Sequence, residues 1–190
     1  REKNKNFIKL CLNQKLVPKL SLQPIKRFDL DAVIVFSDIL MIPYGLGQKV
    51  QFKKDLGPIL GNLNLKSIIE INKADFVKNL MPIYKSIKKI KKNIGKDKCL
   101  IGFAGAPWTL LIYMLYKKSP KKQPNINKTI KDKFLTEKLL SKLGDVICLH
   151  IDKQIEAGAQ VIQIFDSWAG LLTKENLPNY CYIPNLKIVE

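Results

Sequence analysis

The sequence predicts an α/β protein built around a parallel sheet, and three observations carry that expectation. Three short runs, Ala32-Val33-Ile34-Val35-Phe36, Cys99-Leu100-Ile101-Gly102-Phe103-Ala104 and Val161-Ile162-Gln163-Ile164-Phe165, are almost free of polar side chains, as strands covered on both faces are. Each opens into a polar or glycine-rich turn: Ser37-Asp38-Ile39-Leu40, Gly105-Ala106-Pro107-Trp108-Thr109 and Asp166-Ser167-Trp168-Ala169-Gly170. Segments of helical periodicity separate the runs, giving the order β-α-β-α-β-α of a parallel sheet. A doubly wound sheet and a TIM (β/α)8 barrel both fit. No GxGxxG or GxxxxGK[ST] follows any strand, so the motifs that would favour the doubly wound sheet are missing.

Residues 6–17 suit a short helix stopped near Pro18, and residues 21–28 a further helical turn with Pro24 near its start. The first strand covers 32–37. Pro43, Gly45 and Gly47 mark a loop, followed by the extended, alternating Val50-Gln51-Phe52. Ile83, Tyr84, Ile87, Ile90 and Ile94 share one face of a helix over 82–94, with Pro82 in its first turn and Gly95 at its C-terminal end. A strand over 99–103 and a helix over 108–116, entered through Pro107, come next. The lysine-, proline- and asparagine-rich stretch 117–133 reads as an exposed insertion. A long amphipathic helix over 134–157, with Gly144 as its point of interruption, leads to a strand over 160–165. A helical or mixed segment over 174–189 ends the sequence.

The 190 residues suffice for one domain with a sizeable core, and 46% are hydrophobic. Lys and Arg number 33 against 16 Asp and Glu, a formal charge of +17. Nearly all of this excess is lysine, because Arg1 and Arg27 are the only arginines. Bidentate reading of bases and phosphates favours arginine, so no nucleic-acid partner is expected. A positive field would still steer a polyanionic substrate toward the surface. Cys11, Cys99, Cys148 and Cys181 form no CxxC pair and fit reduced thiols in a cytoplasmic protein. His150 is the sole histidine, which excludes a His-rich metal site within the chain. No run reaches transmembrane length and none resembles a secretory signal, so no membrane partner is expected. Arg1, not Met, opens the sequence, and its start is expected to be truncated.

A carboxylate at the mouth of so apolar a strand is expensive to desolvate, which makes Asp38 the first candidate for chemistry. The competing reading is a helix N-cap at a strand–helix junction. Together the strand-end segments resemble the uroporphyrinogen decarboxylase family: Asp31-Ala32 through Leu40 with Pro43 and Leu46-Gly47, then Leu100 through Leu110, then Ala157-Gly158-Ala159-Gln160 through Gly170. Leu22-Gln23-Pro24-Ile25 with Arg27-Phe28 resembles the segment that precedes the family's aspartate.

The resemblance implies a TIM barrel working as a cytoplasmic homodimer without metal or organic cofactor. It implies removal of carbon dioxide from the four acetate side chains of uroporphyrinogen III, giving coproporphyrinogen III for haem synthesis. Asp38 then takes the catalytic and substrate-binding position beneath the macrocycle. Tyr113 and Ser167 match family residues that hydrogen-bond substrate carboxylates, against plain helix packing for Tyr113 and an N-cap for Ser167. Phe36 and Phe165 are expected to wall the pocket, with barrel-interior packing as their alternative. Gly102, Gly105 and Gly170 are expected to let the backbone approach a bulky flat ligand, with tight turns as their alternative. Asp166 should point away from the site if strand alternation continues, and His150 reads as structural.

The family's upstream Arg-x-Ala-Gly-Arg segment and its late strands have no counterpart, so the 190 residues are expected to form one partial barrel domain, strands two to four. Such a piece leaves open sheet edges and is expected to be inactive alone. Two other readings stand beside this one. A corrinoid-linked methyltransferase shares the barrel but holds zinc through His and Cys, and no His-x-Cys pair occurs. A nucleic-acid-binding module would have to rely on the lysine excess.

Overall fold

The computed structural model describes residues 6–63, 65–70, 72–120 and 131–190. The elements run α1 (Phe7–Cys11), α2 (Leu16–Arg27), β1 (Ala32–Ile34), α3 (Met41–Gly45), β2 (Val50–Lys53), β3 (Gly57–Leu60), α4 (Leu65–Ile69), α5 (Lys73–Asn93), β4 (Cys99–Gly105), α6 (Pro107–Tyr116), α7 (Lys133–Glu156), β5 (Val161–Phe165) and α8 (Ile183–Val189). A 3-10 turn over Ala169–Leu171 and a π-helical turn over Pro178–Tyr182 join β5 to α8.

The three apolar runs form one parallel sheet in the order β1-β4-β5. Ala32 pairs with Cys99 and Ile34 with Ile101; on the other side of β4, Ile101 pairs with Val161 and Gly105 with Phe165. Val33, Val35, Leu100 and Ala104 are buried on the face where α2 packs against β1 and α7 against β4. The opposite face carries Ile34, Val161 and Phe165, which are 61%, 48% and 42% exposed. Strands in sequential order, with crossover helices on one side only, make the curved layer of a barrel. A doubly wound sheet would carry helices on both faces.

Several boundaries differ from those the periodicity predicts. Pro18 lies in the first turn of α2, where a missing N–H goes unnoticed, and the helix continues through Pro24 to Arg27. Pro82 sits in the middle of α5 rather than at its start. That helix begins at Lys73, because the Asn72 side chain accepts from the Ala74 and Asp75 amides and the buried Phe76 and Leu80 extend the apolar stripe. Val50-Gln51-Phe52 belongs to an antiparallel hairpin with β3, whose turn places Asp55 and Gly57 in the left-handed region. Helix α7 runs unbroken through Gly144.

Strand β1 is shorter than the apolar run. The Val35 amide still donates to Ile101, at 3.0 Å, but the Phe36 amide turns to Ser21 Oγ of α2, at 2.8 Å. Of the predicted insertion 117–133, residues 121–130 lie outside the described residues. Lys117 and Lys118 are exposed, and the Lys117 carbonyl accepts from the Leu60 amide, tying the end of α6 to β3.

Two polar contacts tie α7 down, one to α5 and one to the sheet. Tyr84 and His150 share a hydrogen bond of 2.9 Å between the phenol and Nδ1, and burial pushes the imidazole down to about 4, so it is neutral at pH 7. Gln154 of α7 reaches Phe103 with both ends of its amide: Oε1 accepts from the backbone N–H at 3.1 Å and Nε2 donates to the carbonyl at 3.0 Å. Gly102 is what makes room for it. A Cβ there would lie 2.5 Å from Gln154 Oε1 and 2.9 Å from Ile162 Cδ1, so this glycine serves helix packing rather than approach to a ligand. Replacing Gly102 by Ala is expected to lower the unfolding free energy by roughly 1–3 kcal/mol, read from the midpoint of a urea titration.

Candidate active site

Parallel strands end on the same edge of the sheet, so the turns after β1, β4 and β5 share one rim. At the first of them, the Leu40 amide donates to Asp38 Oδ1 at 2.8 Å, closing a local turn. Helix α3 takes Leu40 as its N-cap, so Asp38 precedes the cap rather than serving as one. Its carboxylate is partly exposed, and among the described residues no lysine or arginine pairs with it. Burial pushes its pKa above the ordinary carboxylate range, and the Leu40 N–H offsets part of that rise. The fully buried Cys11 thiol is pushed up to about 12, by burial first and then by the neighbouring Asp38 charge.

Gly105 joins the first turn to the second. A Cβ on it would lie 2.7 Å from Leu110 Cδ2 and 3.1 Å from Ile39 Cβ, so the segment following Asp38 rests directly on the end of β4. Four hydrogen bonds join the second turn to the third. The Ala106 amide donates to the Phe165 carbonyl at 2.9 Å, and Trp108 Nε1 to the Trp168 carbonyl at 3.0 Å. Thr109 Oγ1 accepts from the Trp168 amide at 3.0 Å and donates to Asp166 Oδ1 at 2.7 Å. The three motifs therefore form one continuous rim.

Tyr113, on α6, is half-buried with its ring edge-on to Trp168 at 5.7 Å. Ser167 is exposed, and Trp168, not Ser167, is the N-cap of the 3-10 turn. Phe165 lies on the uncovered face, edge-on to Phe103 at 5.7 Å. Phe36 stands apart from them: it meets Phe7 of α1 edge-on at 5.9 Å and borders a groove of about 380 Å³ along the free side of β1, with Ile34, Ser37 and Phe103. Phe103 was open to detection as an inward residue, since it alternates with Gly102 and Ala104. Nothing lies within 4 Å of a Cβ at Gly170, so no packing among the described residues requires a glycine there. Asp166 faces the helices, accepting at Oδ2 from Cys181 Sγ and Asn185 Nδ2, as strand alternation predicted.

A larger cavity, of about 660 Å³, lies between α7 and α8 against Glu137, Asp145, Cys148, Asp152 and Lys187, and none of the five candidate residues lines it. Among the described residues no group of three or more His, Cys, Asp or Glu side chains could hold a metal ion, and no helix is long and apolar enough to cross a membrane.

Over residues 1–190 the sequence matches the family described as Uroporphyrinogen decarboxylase (URO-D). The chain belongs to the uroporphyrinogen decarboxylase family. Proteins named uroporphyrinogen decarboxylase from Rickettsia bellii (strain RML369-C) and Rickettsia canadensis (strain McKiel) are each 38% identical to it, over 192 and 190 residues. Those alignments cover 100% of this chain and 56% of each relative, so the chain spans about half the length of the curated relatives it matches. A solved methyltransferase from Methanosarcina mazei superposes with a TM-score of 0.78 at 20% identity, covering 97% of this chain and 55% of that one. That likeness is one of fold. With the family match it makes the one-sided parallel sheet part of a TIM barrel, as the resemblance implied.

The raised pKa of Asp38 has a consequence for stability. A carboxyl whose folded pKa exceeds its unfolded value weakens the fold as pH rises from the unfolded pKa through the folded one. Asn keeps an oxygen for the Leu40 amide and carries no charge. Asp38→Asn is therefore expected to melt at a higher temperature than the parent at pH 7. The difference should vanish as pH falls below the ordinary carboxylate pKa of 3.8, which a thermal-melt series against pH will read.

Proposed function

We propose that the chain carries the aspartate-bearing portion of a uroporphyrinogen decarboxylase, and that the complete protein converts uroporphyrinogen III to coproporphyrinogen III without a cofactor. One observation supports this above the others: Asp38 is a largely desolvated carboxylate without a cationic partner among the described residues, on a rim built from three family motifs. A largely desolvated acid that no protein cation neutralises is costly, and a ligand that brings N–H donors and developing positive charge relieves it.

A pyrrole acetate loses carbon dioxide only if the electron pair left behind has somewhere to go. Protonation of the pyrrole ring supplies the sink: the carbon–carboxylate bond breaks and its electrons neutralise the ring cation. A proton delivered to the exocyclic carbon then makes the methyl group, and loss of the proton first added to the ring restores the neutral pyrrole. Asp38 accepts hydrogen bonds from the pyrrole N–H groups and attracts the macrocycle more strongly as the ring turns cationic, so the transition state gains more than the ground state. The apolar strand ends keep water out and strengthen the attraction. Tyr113 and Ser167 bind substrate carboxylates from the other side of the rim, while Phe165 and Phe36 supply apolar walls. The +17 charge draws the polycarboxylate in.

We further propose that residues 1–190 form a single partial domain that is inactive alone, because β1 and β5 each leave an edge unpaired within the sheet and one face stays uncovered. The complete barrel is proposed to act as a cytoplasmic homodimer, with no nucleic-acid or membrane partner. The likeness to a methyltransferase carries fold and not activity at 20% identity.

The deciding experiment gives uroporphyrinogen III to the full-length protein and to its Asp38→Asn variant. The parent is expected to release coproporphyrinogen, and the variant to lose about a hundredfold or more of that turnover while remaining folded. Near-parental turnover by the variant would sink the role of Asp38. Stoichiometric zinc in the purified protein would point instead to methyl transfer.

A further inference from the structure

Asp166 stands one residue from Ser167 yet faces the opposite way, and its hydrogen bonds lead back to the site. Its Oδ1 accepts from Thr109 Oγ1 at 2.7 Å, and that same hydroxyl oxygen accepts from the Trp168 amide at 3.0 Å. A hydroxyl has one proton to donate, so Asp166 fixes which way Thr109 points and leaves its lone pairs to the Trp168 amide. Trp108 closes the other side by donating to the Trp168 carbonyl. Both backbone polar groups of Trp168 are therefore held by the first turn of α6, immediately after Ser167 and under the ring that meets Tyr113 at 5.7 Å. The second carboxylate oxygen of Asp166 is occupied by Cys181 Sγ at 3.2 Å and Asn185 Nδ2 at 3.0 Å, which anchors the arrangement to the π-helical turn and α8.

We propose that Asp166 and Thr109 are positioning residues: through the backbone of Trp168 they hold Ser167 and Tyr113 in fixed register on the rim, so that both can bind substrate carboxylates together. The inference rests on the decarboxylase reading, in which Ser167 and Tyr113 contact substrate. It assigns Asp166 a role in geometry and none in charge, since the carboxylate touches only protein groups. Removing the Thr109 hydroxyl leaves Asp166 Oδ1 and the Trp168 amide both without their partner and frees the turn. Asp166→Asn keeps an oxygen for Thr109, and turning over the Asn185 amide, which now donates through Nδ2, brings its Oδ1, buried and unpartnered among the described residues, to the new N–H.

The test is a double-mutant cycle in the full-length protein with uroporphyrinogen III as substrate. Ser167→Ala is expected to raise KM by about tenfold and Thr109→Val by at least as much, with kcat within about threefold, and the double variant to raise KM no further than Thr109→Val alone, because the loss at Ser167 is already contained in it. Thr109→Ser and Asp166→Asn are expected to keep KM within about twofold of the parent. Additive effects of Thr109→Val and Ser167→Ala would overturn the proposal, and so would a loss of kcat in Asp166→Asn comparable to that of Asp38→Asn. Should Thr109→Val fail to fold, Thr109→Ala, which removes the hydroxyl without setting a methyl against the Asp166 carboxylate, takes its place in the cycle. Trp108 and Trp168 are the only tryptophans among these 190 residues, so the difference in emission between each variant and the parent reads the lock without substrate. A red shift in Thr109→Val but not in Thr109→Ser is expected even if the parent consumes no uroporphyrinogen, which separates failure of the lock from failure of the decarboxylase reading.

Discussion

Strand β4 has a parallel partner on each side, and this pairing sets everything that follows. Because β1, β4 and β5 run the same way in consecutive order, the segments that follow them must emerge together, whatever their sequence separation. Small residues then decide how closely they meet. Gly105 leaves only enough space for Ile39 and Leu110, which draws the Asp38 turn onto the end of β4. On the other side, hydrogen bonds to main-chain groups, together with the Tyr113–Trp168 ring contact, hold the third turn against the second. A rim of this kind needs no loop flexibility to assemble, since each contact is made by the element that presents it.

Two carboxylates lie on that rim and the protein treats them in opposite ways. Asp166 is saturated: three donors from α6, the π-helical turn and α8 share its two oxygens. Asp38 receives a single amide hydrogen bond and no cation among the described residues. The first can only support structure. The second is held at an electrostatic loss that a single amide only partly offsets.

Much of this was legible in the residues. The apolar runs, their opening turns and the intervening periodicity located all three parallel strands, and Pro107 marked the start of α6. Proline misled elsewhere. Pro82 and Pro24 lie inside helices whose buried stripes outweigh the local disruption, and Pro18 sits in the first turn of a helix where the sequence reads it as a stop. Asp38 stood out because a charge beside five apolar residues is conspicuous in any sequence, whereas Thr109 and Gln154 are ordinary helix residues with no local signal.

By itself the sequence determined the class, the family and the three strand-and-turn units, because alternation, helical spacing and motif order are properties of neighbouring residues. Tertiary structure alone decided where β1 leaves the sheet, which glycine serves packing and which aspartate is tied down. Those outcomes rest on hydrogen bonds spanning 15 residues from Ser21 to Phe36, 51 from Phe103 to Gln154 and 57 from Thr109 to Asp166. Each such bond depends on where distant elements pack, and no local pattern encodes that distance.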